Sequence, residues 1–431
     1  MTPKSEGGRS QFSLFCSRRF APLFVAMFLG AFNDNFFKSA MVILITYRLA
    51  ENVSIDARIL VTLAAGVFIL PFVLLSALAG QFADKYERSA LVRKVKFAEI
   101  VVMTGAVAGF RMESTGVLMV TLFLMGAQSA FFGPLKYSVL PQHLEKSELI
   151  AANALVETGT FLAILLGTIF GGLFVLAEGG IPLVSALVIS IAAAGWVASM
   201  FIPATRAINP SLEFRFNIFR ETVALVLKVL PKREIFLSVL GVSWFYFVGS
   251  AFLSLFPTYA KIVIGADEQV ATLFLAVFSV GIGAGSLACN TLLRGEVSGR
   301  YIPAAAAGMS VMSVLFYLAS GSPAHPAGGE LITVFEFMMS LQNVSILLCL
   351  LGISFAGGLY IVPFYAIIQT RSREDELAGV TACTNIMDSL FMVVSSLLTS
   401  AMLAAGFSIP GIFLALAVLT AAVAWIMRDQ R

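Results

Sequence analysis

Charged residues and histidines are scarce in this chain. Of its 431 residues only 12% are charged, against about 25% in a typical soluble domain, whereas 59% are hydrophobic. The two histidines, His143 and His325, are far apart, and the four cysteines stand singly, without the spacing of a metal site or a disulfide framework. No nucleophile with a neighbouring base is visible either. The composition therefore predicts an integral membrane protein and argues against an enzyme, a metal, a cofactor or a nucleic-acid partner.

Long apolar segments are what the chain has in abundance. Twelve can be counted, each about twenty residues or longer and therefore able to cross the hydrocarbon core as a helix. They are residues 21–47, 58–82, 93–111, 116–140, 148–177, 181–203, 234–264, 268–293, 301–320, 341–369, 376–406 and 409–427. We therefore predict an all-α integral membrane protein with twelve transmembrane helices. The predicted parts are a tail at 1–20, a first six-helix half at 21–203, a linker at 204–233 and a second six-helix half at 234–431.

The linker mixes apolar and basic residues between positions 213 and 230. This pattern is typical of an amphipathic helix that lies in the membrane interface. A solvated linker helix is the alternative.

Lysine and arginine residues are divided unevenly between the two sides of the predicted bundle. All 28 except Lys38, Arg48, Arg58, Arg111 and Lys261 fall in the termini, the linker or the loops of one side. Because basic residues concentrate in cytoplasmic loops, both termini are predicted to be cytoplasmic.

The first apolar segment contains a group of polar residues at membrane depth, Asn33, Asp34, Asn35 and Lys38. Each ionisable group there costs about 2.5–3.5 kcal/mol on insertion scales, so such residues normally face protein or a water-filled cavity. Asp34 and Lys38 are four residues apart, which places them on one helix face, close enough to pair. The group is either a structural ion pair or part of a transport site.

Further polar residues lie in other apolar segments. Lys136 follows a helix-kinking proline and either extends to the interface or binds a phosphate. Asn153 and Glu157 are four residues apart in the fifth segment, and Asn385 and Asp388 are three apart in the eleventh. We interpret both pairs as cavity lining because buried charge in a membrane is functional by default. We assign Glu99, in the third segment, to a structural pair with Lys96 or Arg93.

Residues 80–88 (GQFADKYER) close the second segment. They resemble the signature G-x-L-A-D-R-x-G-R, which major facilitator transporters carry in the same loop. Gly80 permits close helix approach, and Asp84 and Arg88 can pair with neighbours to hold one conformation. We assign all three to gating, with ordinary loop charges as the alternative.

Phenylalanine is abundant, with 38 residues, many of them in segments one, four, seven and ten. Few polar groups among many apolar ones suit an amphiphile with a zwitterionic or anionic head and an apolar tail. The alternative is that these phenylalanines face lipid. The residues in question are Phe36, Phe37, Phe131, Phe132, Phe247 and Phe252.

Several motifs resemble one known family. They are residues 31–35 (AFNDN), 133–137 (GPLKY) and 143–159 (HLEKSELIAANALVETG), which are similar to the bacterial lysophospholipid transporter family, a branch of the major facilitator superfamily. Residues 243–247 (SWFYF) and 256–261 (FPTYAK) look most like the transporter module of longer proteins. In those proteins the module is fused to a glycerophospholipid acyltransferase and an acyl-acyl carrier protein synthetase. The resemblance therefore implies that such an enzyme would be a separate partner here.

By the same resemblance, Asp34 matches the family's first-helix acid and Lys136 its fourth-helix lysine. Asn153 and Glu157 match a polar pair after the loop between helices four and five. The family's stand-alone branch also carries an arginine in helix seven, whereas residues 248–252 have no charge here. Headgroup contacts from the second half would then come from Asn385 and Asp388.

These observations predict an alternating-access transporter that moves lysophospholipids, such as lysophosphatidylethanolamine, from the outer to the inner leaflet of the bacterial inner membrane. Lys136 and Lys38 would contact phosphate, and phenylalanines the acyl chain, with membrane lipids around the protein. Asp34 and Glu157 would either contact the amine or couple the conformational change. A proton-driven drug or metabolite exporter of the same fold is one alternative. A membrane scaffold for a lipid acyltransferase, without transport, is another.

Overall fold

The computed structural model describes residues 10–49, 57–321 and 331–427. Residues 1–9 of the predicted tail, His325 and residues 428–431 lie outside these ranges. A 3-10 helix (Gln11–Cys16) precedes the first long helix. The α-helices are α1 (Ala21–Leu44), α2 (Ala57–Lys85), α3 (Arg88–Arg111), α4 (Thr115–His143), α5 (Leu149–Val175), α6 (Gly180–Met200), α7 (Ile218–Val229), α8 (Arg233–Thr258), α9 (Glu268–Leu293), α10 (Ile302–Ala319), α11 (Val334–Met339), α12 (Leu341–Arg371), α13 (Leu377–Ala404) and α14 (Ile409–Ile426).

Twelve of the helices in the described ranges are long enough to span a membrane, all except α7 and α11. Eleven of the twelve qualify by length and composition together. The twelfth, α3, has 24 residues, about 36 Å, but it carries Arg93, Lys94 and Lys96. It nevertheless packs against α4 and α6 within the bundle. The prediction of an all-α membrane protein with twelve spanning helices is confirmed.

The spanning helices form two groups of six. In the first half α1 packs against α5 and α6, and α2 against α4. In the second half α8 packs against α13, while α12 packs against α9 and α10. The halves meet where α2 contacts α13 and where α5 contacts α9. The domain limits at 204 and 233 stay a prediction, and α7 lies between them.

Glycines allow the closest helix contacts within each half. A Cβ atom at Gly167 or Gly171 of α5 would collide with the backbone of α1 at Phe32 or Phe36. In the second half, a Cβ atom at Gly285 of α9 would collide with the α12 backbone at Phe355. Small residues therefore let the paired backbones approach closely, as is common between helices in membranes.

The basic end of the bundle is the end at which α2 stops and α3 starts. Lys85, Arg88, Arg206 and Lys232 lie there, where the loop between α12 and α13 meets the first half. Helix α4 runs towards this end, whereas α1, α5 and α13 run away from it. The two halves are therefore joined at the basic end by polar contacts.

Helix α7 crosses the basic end and packs on both α2 and α13. The side chain of Asn217 caps it by accepting a hydrogen bond from the Arg220 backbone N–H at 3.1 Å. Its outward face is apolar: Phe219 is 77% exposed and Val223 57%. The linker thus contains an amphipathic helix, and its outward face has no cover within the described residues.

Candidate functional site

A cavity of about 290 Å³ lies between the two halves. Helix α1 lines it with Asp34, Asn35 and Lys38, and α4 lines it with Lys136. The second half contributes Asn385 and Asp388 from α13. All the predicted substrate-binding residues except Asn153 and Glu157 therefore share one cavity, although they come from segments far apart in the sequence.

Asp34 and Lys38 have different partners. The Asp34 Oδ2 atom accepts a hydrogen bond from the Ser129 hydroxyl on α4 at 2.7 Å, while Oδ1 is buried without a partner in the described ranges. The Lys38 ammonium lies 4.4 Å from the ring centroid of Phe68 on α2. The expected pair between Asp34 and Lys38 is not among the ion pairs that the described residues form. Their four-residue spacing places both on one face of α1, but Asp34 contacts α4 and Lys38 contacts α2.

Asn35 lines the cavity as predicted, but its side-chain amide donates to the backbone carbonyl of Ala31 at 2.8 Å. Its own helix thus already satisfies one of its hydrogen-bonding groups. The neighbouring Asn33 points elsewhere, since its amide donates to Glu99 on α3 at 3.1 Å.

A buried polar network on α3 reaches the cavity. Lys96 and Glu99 form an ion pair, and each side chain is only 1% exposed. Glu99 also accepts hydrogen bonds from Asn33 and, at 3.4 Å, from Gln128. Lys96 and Glu99 both line the cavity. The prediction that Glu99 forms only a structural ion pair therefore missed its position in the cavity wall. The several charged residues of the third apolar segment were the sequence feature that could have indicated this position.

Lys136 lies within α4 and lines the cavity. Its ammonium donates to the Thr160 hydroxyl on α5 at 3.2 Å. Glu157, which is fully buried, lies behind Tyr137: the Tyr137 hydroxyl donates to Glu157 Oε1 at 2.6 Å. Glu157 therefore contacts a cavity residue but does not line the cavity itself.

Three tyrosines that sequence reasoning did not single out meet at the cavity. Tyr137 of α4 stacks on Tyr365 of α12, with ring centroids 4.0 Å apart and planes 12° from parallel. The hydroxyl of Tyr246 on α8 lies 3.4 Å from that of Tyr365. The stack joins the two halves, and all three rings line the cavity. Which tyrosines meet depends on the packing of helices, so no local pattern indicated it.

Asp388 and Asn385 bring the second half into the cavity. The Asp388 Oδ1 atom accepts a hydrogen bond from the Ser243 hydroxyl on α8 at 2.7 Å. Asn385 abuts Gly133 of α4 so closely that a Cβ at Gly133 would collide with the Asn385 amide. The Asn385 Nδ2 group is buried without a partner in the part of the chain that is described.

Asn153 lies outside the cavity, in a contact between the halves. Its amide donates to Gln369 Oε1 of α12 at 2.6 Å, and the Gln369 amide donates back to Asn153 Oδ1 at 3.2 Å. Gln369 also donates to the Tyr137 carbonyl at 3.2 Å. This reciprocal pair joins α5 to α12 on the basic-end side of the tyrosine stack.

The residues assigned to gating lie at the basic end, where the halves meet. Arg88 is fully buried and donates to the carbonyls of Ser138 at 3.0 Å and, across the halves, of Glu374 at 3.4 Å. It also pairs with Asp84 at 3.4 Å. Gly80 faces α13 so closely that a Cβ atom there would lie 3.0 Å from that of Ala382. Their gating role stays a prediction.

Only one of the phenylalanines proposed as an acyl-chain wall, Phe132, lines the cavity. Phe68 and Phe72 of α2, which sequence reasoning did not select, line it as well. The other proposed residues lie elsewhere in the bundle: Phe36, Phe37, Phe247 and Phe252 are buried among other helices, and Phe131 packs against Phe82. The four buried rings also do not face lipid, so neither interpretation describes them.

Comparison with known proteins decides the family. The sequence matches the model of the Major Facilitator Superfamily over residues 23–350. The chain belongs to this superfamily. Its two six-helix halves are the predicted major facilitator fold, and membership among membrane transporters confirms the prediction that the chain is not an enzyme.

Two curated relatives within the superfamily carry the same functional name. The lysophospholipid transporter LplT of Enterobacter sp. (strain 638) is 28% identical over 419 residues, covering 94% of this chain and 95% of the relative. LplT of Salmonella arizonae is 29% identical over 373 residues, covering 84% and 83%. The resemblance to lysophospholipid transporters is thus confirmed over most of the chain. The closer likeness to fused transporter modules stays a prediction.

Solved structures of other major facilitator proteins share the fold. The human organic anion transporter MFSD10 superposes with a TM-score of 0.73 at 13% identity, covering 94% of this chain and 99% of that chain. FucP in its outward conformation gives a TM-score of 0.70 at 14% identity, covering 96% and 99%.

Proposed function

We propose that the protein is a lysophospholipid transporter of the bacterial inner membrane. It moves lysophospholipids such as lysophosphatidylethanolamine from the outer to the inner leaflet by alternating access, with the basic end and both termini in the cytoplasm. The observation that carries the proposal is the cavity between the halves, where Asp34, Lys38, Lys136 and Asp388 converge. The similarity to LplT along most of the chain supports the same substrate class.

The size of the cavity supports a headgroup site. Its volume of about 290 Å³ is near the lower limit of about 300 Å³ for small-molecule pockets. A polar headgroup fits such a volume, and the acyl chain leaves it past the apolar side chains of Phe72 and Phe132 in the cavity wall. Lys38 and Lys136 supply cations for the phosphate.

Transport by the purified protein in vesicles tests this proposal. We expect Asp34→Asn and Lys136→Ala each to slow uptake of lysophosphatidylethanolamine by about tenfold or more, since each removes a charge-assisted contact. Lys146→Ala and Asp375→Asn are matched controls, because both residues lie in loops away from the cavity. Unchanged uptake by both cavity variants would remove these residues from the mechanism.

A proton-coupled exporter of a drug or metabolite is the second candidate. It is favoured by the Oδ1 atom of Asp34, which is buried without a partner in the described ranges and could take up a proton. Such an exporter would raise drug tolerance when expressed and would leave lysophospholipid in vesicles untransported.

The product of the proposed reaction also indicates a partner. A lysophospholipid delivered to the inner leaflet is a substrate for reacylation, which this chain does not perform. We propose a separate acyltransferase with an acyl-acyl carrier protein synthetase as the consumer. If the purified chain transports nothing while still binding the enzyme, the protein is a scaffold; lysophospholipid transport by the purified chain alone excludes that alternative.

A further inference from the structure

The two halves contribute charge to the cavity unequally. The first half supplies Lys38 and Lys136 together with Asp34, and its Lys96 and Glu99 neutralise each other. Of the second-half residues that line the cavity in the described ranges, only Asp388 is charged. An acid on the second half therefore faces a first half that carries two lysines.

Contacts between helices set the height of these charges along the bundle axis. Asn385 abuts Gly133, so these two residues lie at one level. Because α4 runs towards the basic end, Lys136 lies about 4.5 Å nearer that end than Gly133. Because α13 runs away from it, Asp388 lies about 4.5 Å farther than Asn385. Lys136 and Asp388 are thus about 9 Å apart along the axis.

The helical rise per residue also gives the height of Asp34, the acid of the first half. Asp34 is hydrogen-bonded to Ser129, which is four residues before Gly133 and so about 6 Å farther from the basic end. Asp34 and Asp388 therefore lie at nearly the same level on opposite halves. Lys38, one helical turn beyond Asp34, lies about 6 Å farther out. The cavity thus has an acid layer of Asp34 and Asp388 between two lysine layers.

None of these four charges is neutralised by an ion pair. Among the described residues, neither acid pairs with a lysine or arginine, and neither Lys38 nor Lys136 pairs with an acid. Hydroxyl groups of Ser129, Ser243 and Thr160 provide the contacts instead. Asp34 and Lys38 attract each other, as do Lys136 and Glu157, but neither couple forms an ion pair. Charges without a direct counter-ion in a low-dielectric site are costly, and a ligand with both an ammonium and a phosphate would supply both kinds of counter-ion.

We propose that Asp388, together with Asp34, selects headgroups that bear a protonated amine. The ammonium lies in the acid layer beside Asp388, while the phosphate two carbons away is held by a lysine layer. The inference rests on the proposed lysophospholipid transport and specifies the class of headgroup. A glycerol headgroup, which has the phosphate but no amine, leaves Asp388 without its charge-assisted partner.

Three lipids with the same acyl chain test this inference in vesicles: lysophosphatidylethanolamine, its N-acetylated form and lysophosphatidylglycerol. For the unmodified protein we expect transport of the first to exceed that of the other two by about tenfold, the value of one charge-assisted hydrogen bond. Asp388→Asn should abolish this preference by slowing only the amine-bearing lipid. Asp388→Glu should keep the preference, and Glu178→Gln, in the exposed loop between α5 and α6, should leave all rates unchanged.

The outcomes separate this inference from the proposed function. If the unmodified protein transports none of the three lipids, lysophospholipid transport itself is wrong. If it transports all three at equal rates, the selection by an acid layer is wrong while the transport function stands. The same holds if Asp388→Asn slows all three equally. The comparison of lipids on the unmodified protein remains decisive even if Asp388→Asn does not fold.

Discussion

Lys96 and Glu99 show how the protein houses charge inside a membrane bundle. The Lys96 side chain fits a slot between two helices that lack side chains there: a Cβ atom at Gly30 of α1 or Gly195 of α6 would lie 3.0 Å from the Lys96 ammonium. Glu99 supplies the opposite charge, and Asn33 and Gln128 donate to it. The glycines and the polar partners together make room for one ion pair.

We expect loss of one partner of this ion pair to destabilise the protein far more than loss of both. Lys96→Met leaves the Glu99 carboxylate buried without its counter-ion, which should destabilise the protein by about 3–5 kcal/mol. The double variant Lys96→Met with Glu99→Gln removes both charges and should recover part of this loss. Thermal unfolding of the purified variants measures both effects. A double variant less stable than Lys96→Met would contradict this account.

The sequence predicted individual residues of the site better than their partners. Asp34, Lys136 and Asp388 were recognisable because a charge in an apolar segment has few uses other than a polar cavity. Their neighbours Ser129, Thr160 and Ser243 come from other helices, and only the packing of the bundle brings them close. The mistaken pairing of Asp34 with Lys38 has the same cause, since spacing on one helix gives proximity but does not say what the adjacent helices offer.

For helix α7, the sequence did not decide between a position in the membrane interface and one in solvent. The loop before α7 is hydrogen-bonded to α2. The Gln81 side chain accepts a hydrogen bond from the Arg215 backbone N–H at 2.9 Å, and Lys85 donates one to the Leu212 carbonyl at 2.7 Å. At its far end Glu376 pairs with Lys232 and, at 3.8 Å, with Lys228. The helix thus ties α2 of one half to the start of α13 in the other.

The outward face of α7 distinguishes an interfacial helix from a solvated one. A spin label attached through Phe219→Cys, after replacement of the native cysteines, reports the polarity at that face. We expect faster relaxation by oxygen, which dissolves in lipid, than by a water-soluble nickel complex, because apolar faces of interfacial helices are buried at the boundary between headgroups and acyl chains. A label at Arg220→Cys should show a weaker preference. Equal relaxation by nickel at both positions would favour the solvated helix.

At the scale of the elements, hydrophobic length predicted the spanning helices well, because burial in lipid depends on local composition. Helix α3 has the length of a span but not the composition, since it carries several charged residues, of which Lys96 and Glu99 turn inward to the cavity. The contact between α5 and α12 through Asn153 and Gln369 could not be predicted. It joins residues 216 positions apart and depends on the conformation in which the halves meet.

The whole molecule is closed at the basic end. From the cavity towards that end, the halves are joined by the stack of Tyr137 on Tyr365, by the pair of Asn153 with Gln369, and by Arg88. The proposed alternating access requires all three contacts to separate together, because each joins the same two halves.

A covalent link across this contact should therefore stop transport. We expect the double variant Asn153→Cys with Gln369→Cys to lose uptake when treated with a short bifunctional thiol reagent and to regain it after cleavage of the linker. Each single variant, treated in the same way, should keep its uptake. Full transport by the cross-linked double variant would show that the basic end does not open during the cycle.

Arg88 affects the free-energy difference between the conformation that is closed at the basic end and one that is open there. Its guanidinium is withdrawn from water while it bridges α4 and the loop between α12 and α13. When the halves part, the hydrogen bond to the Glu374 carbonyl is lost, but water reaches the charged guanidinium. The gain in hydration offsets part of the lost bonding, so this contact between the halves costs less to break than its buried geometry suggests.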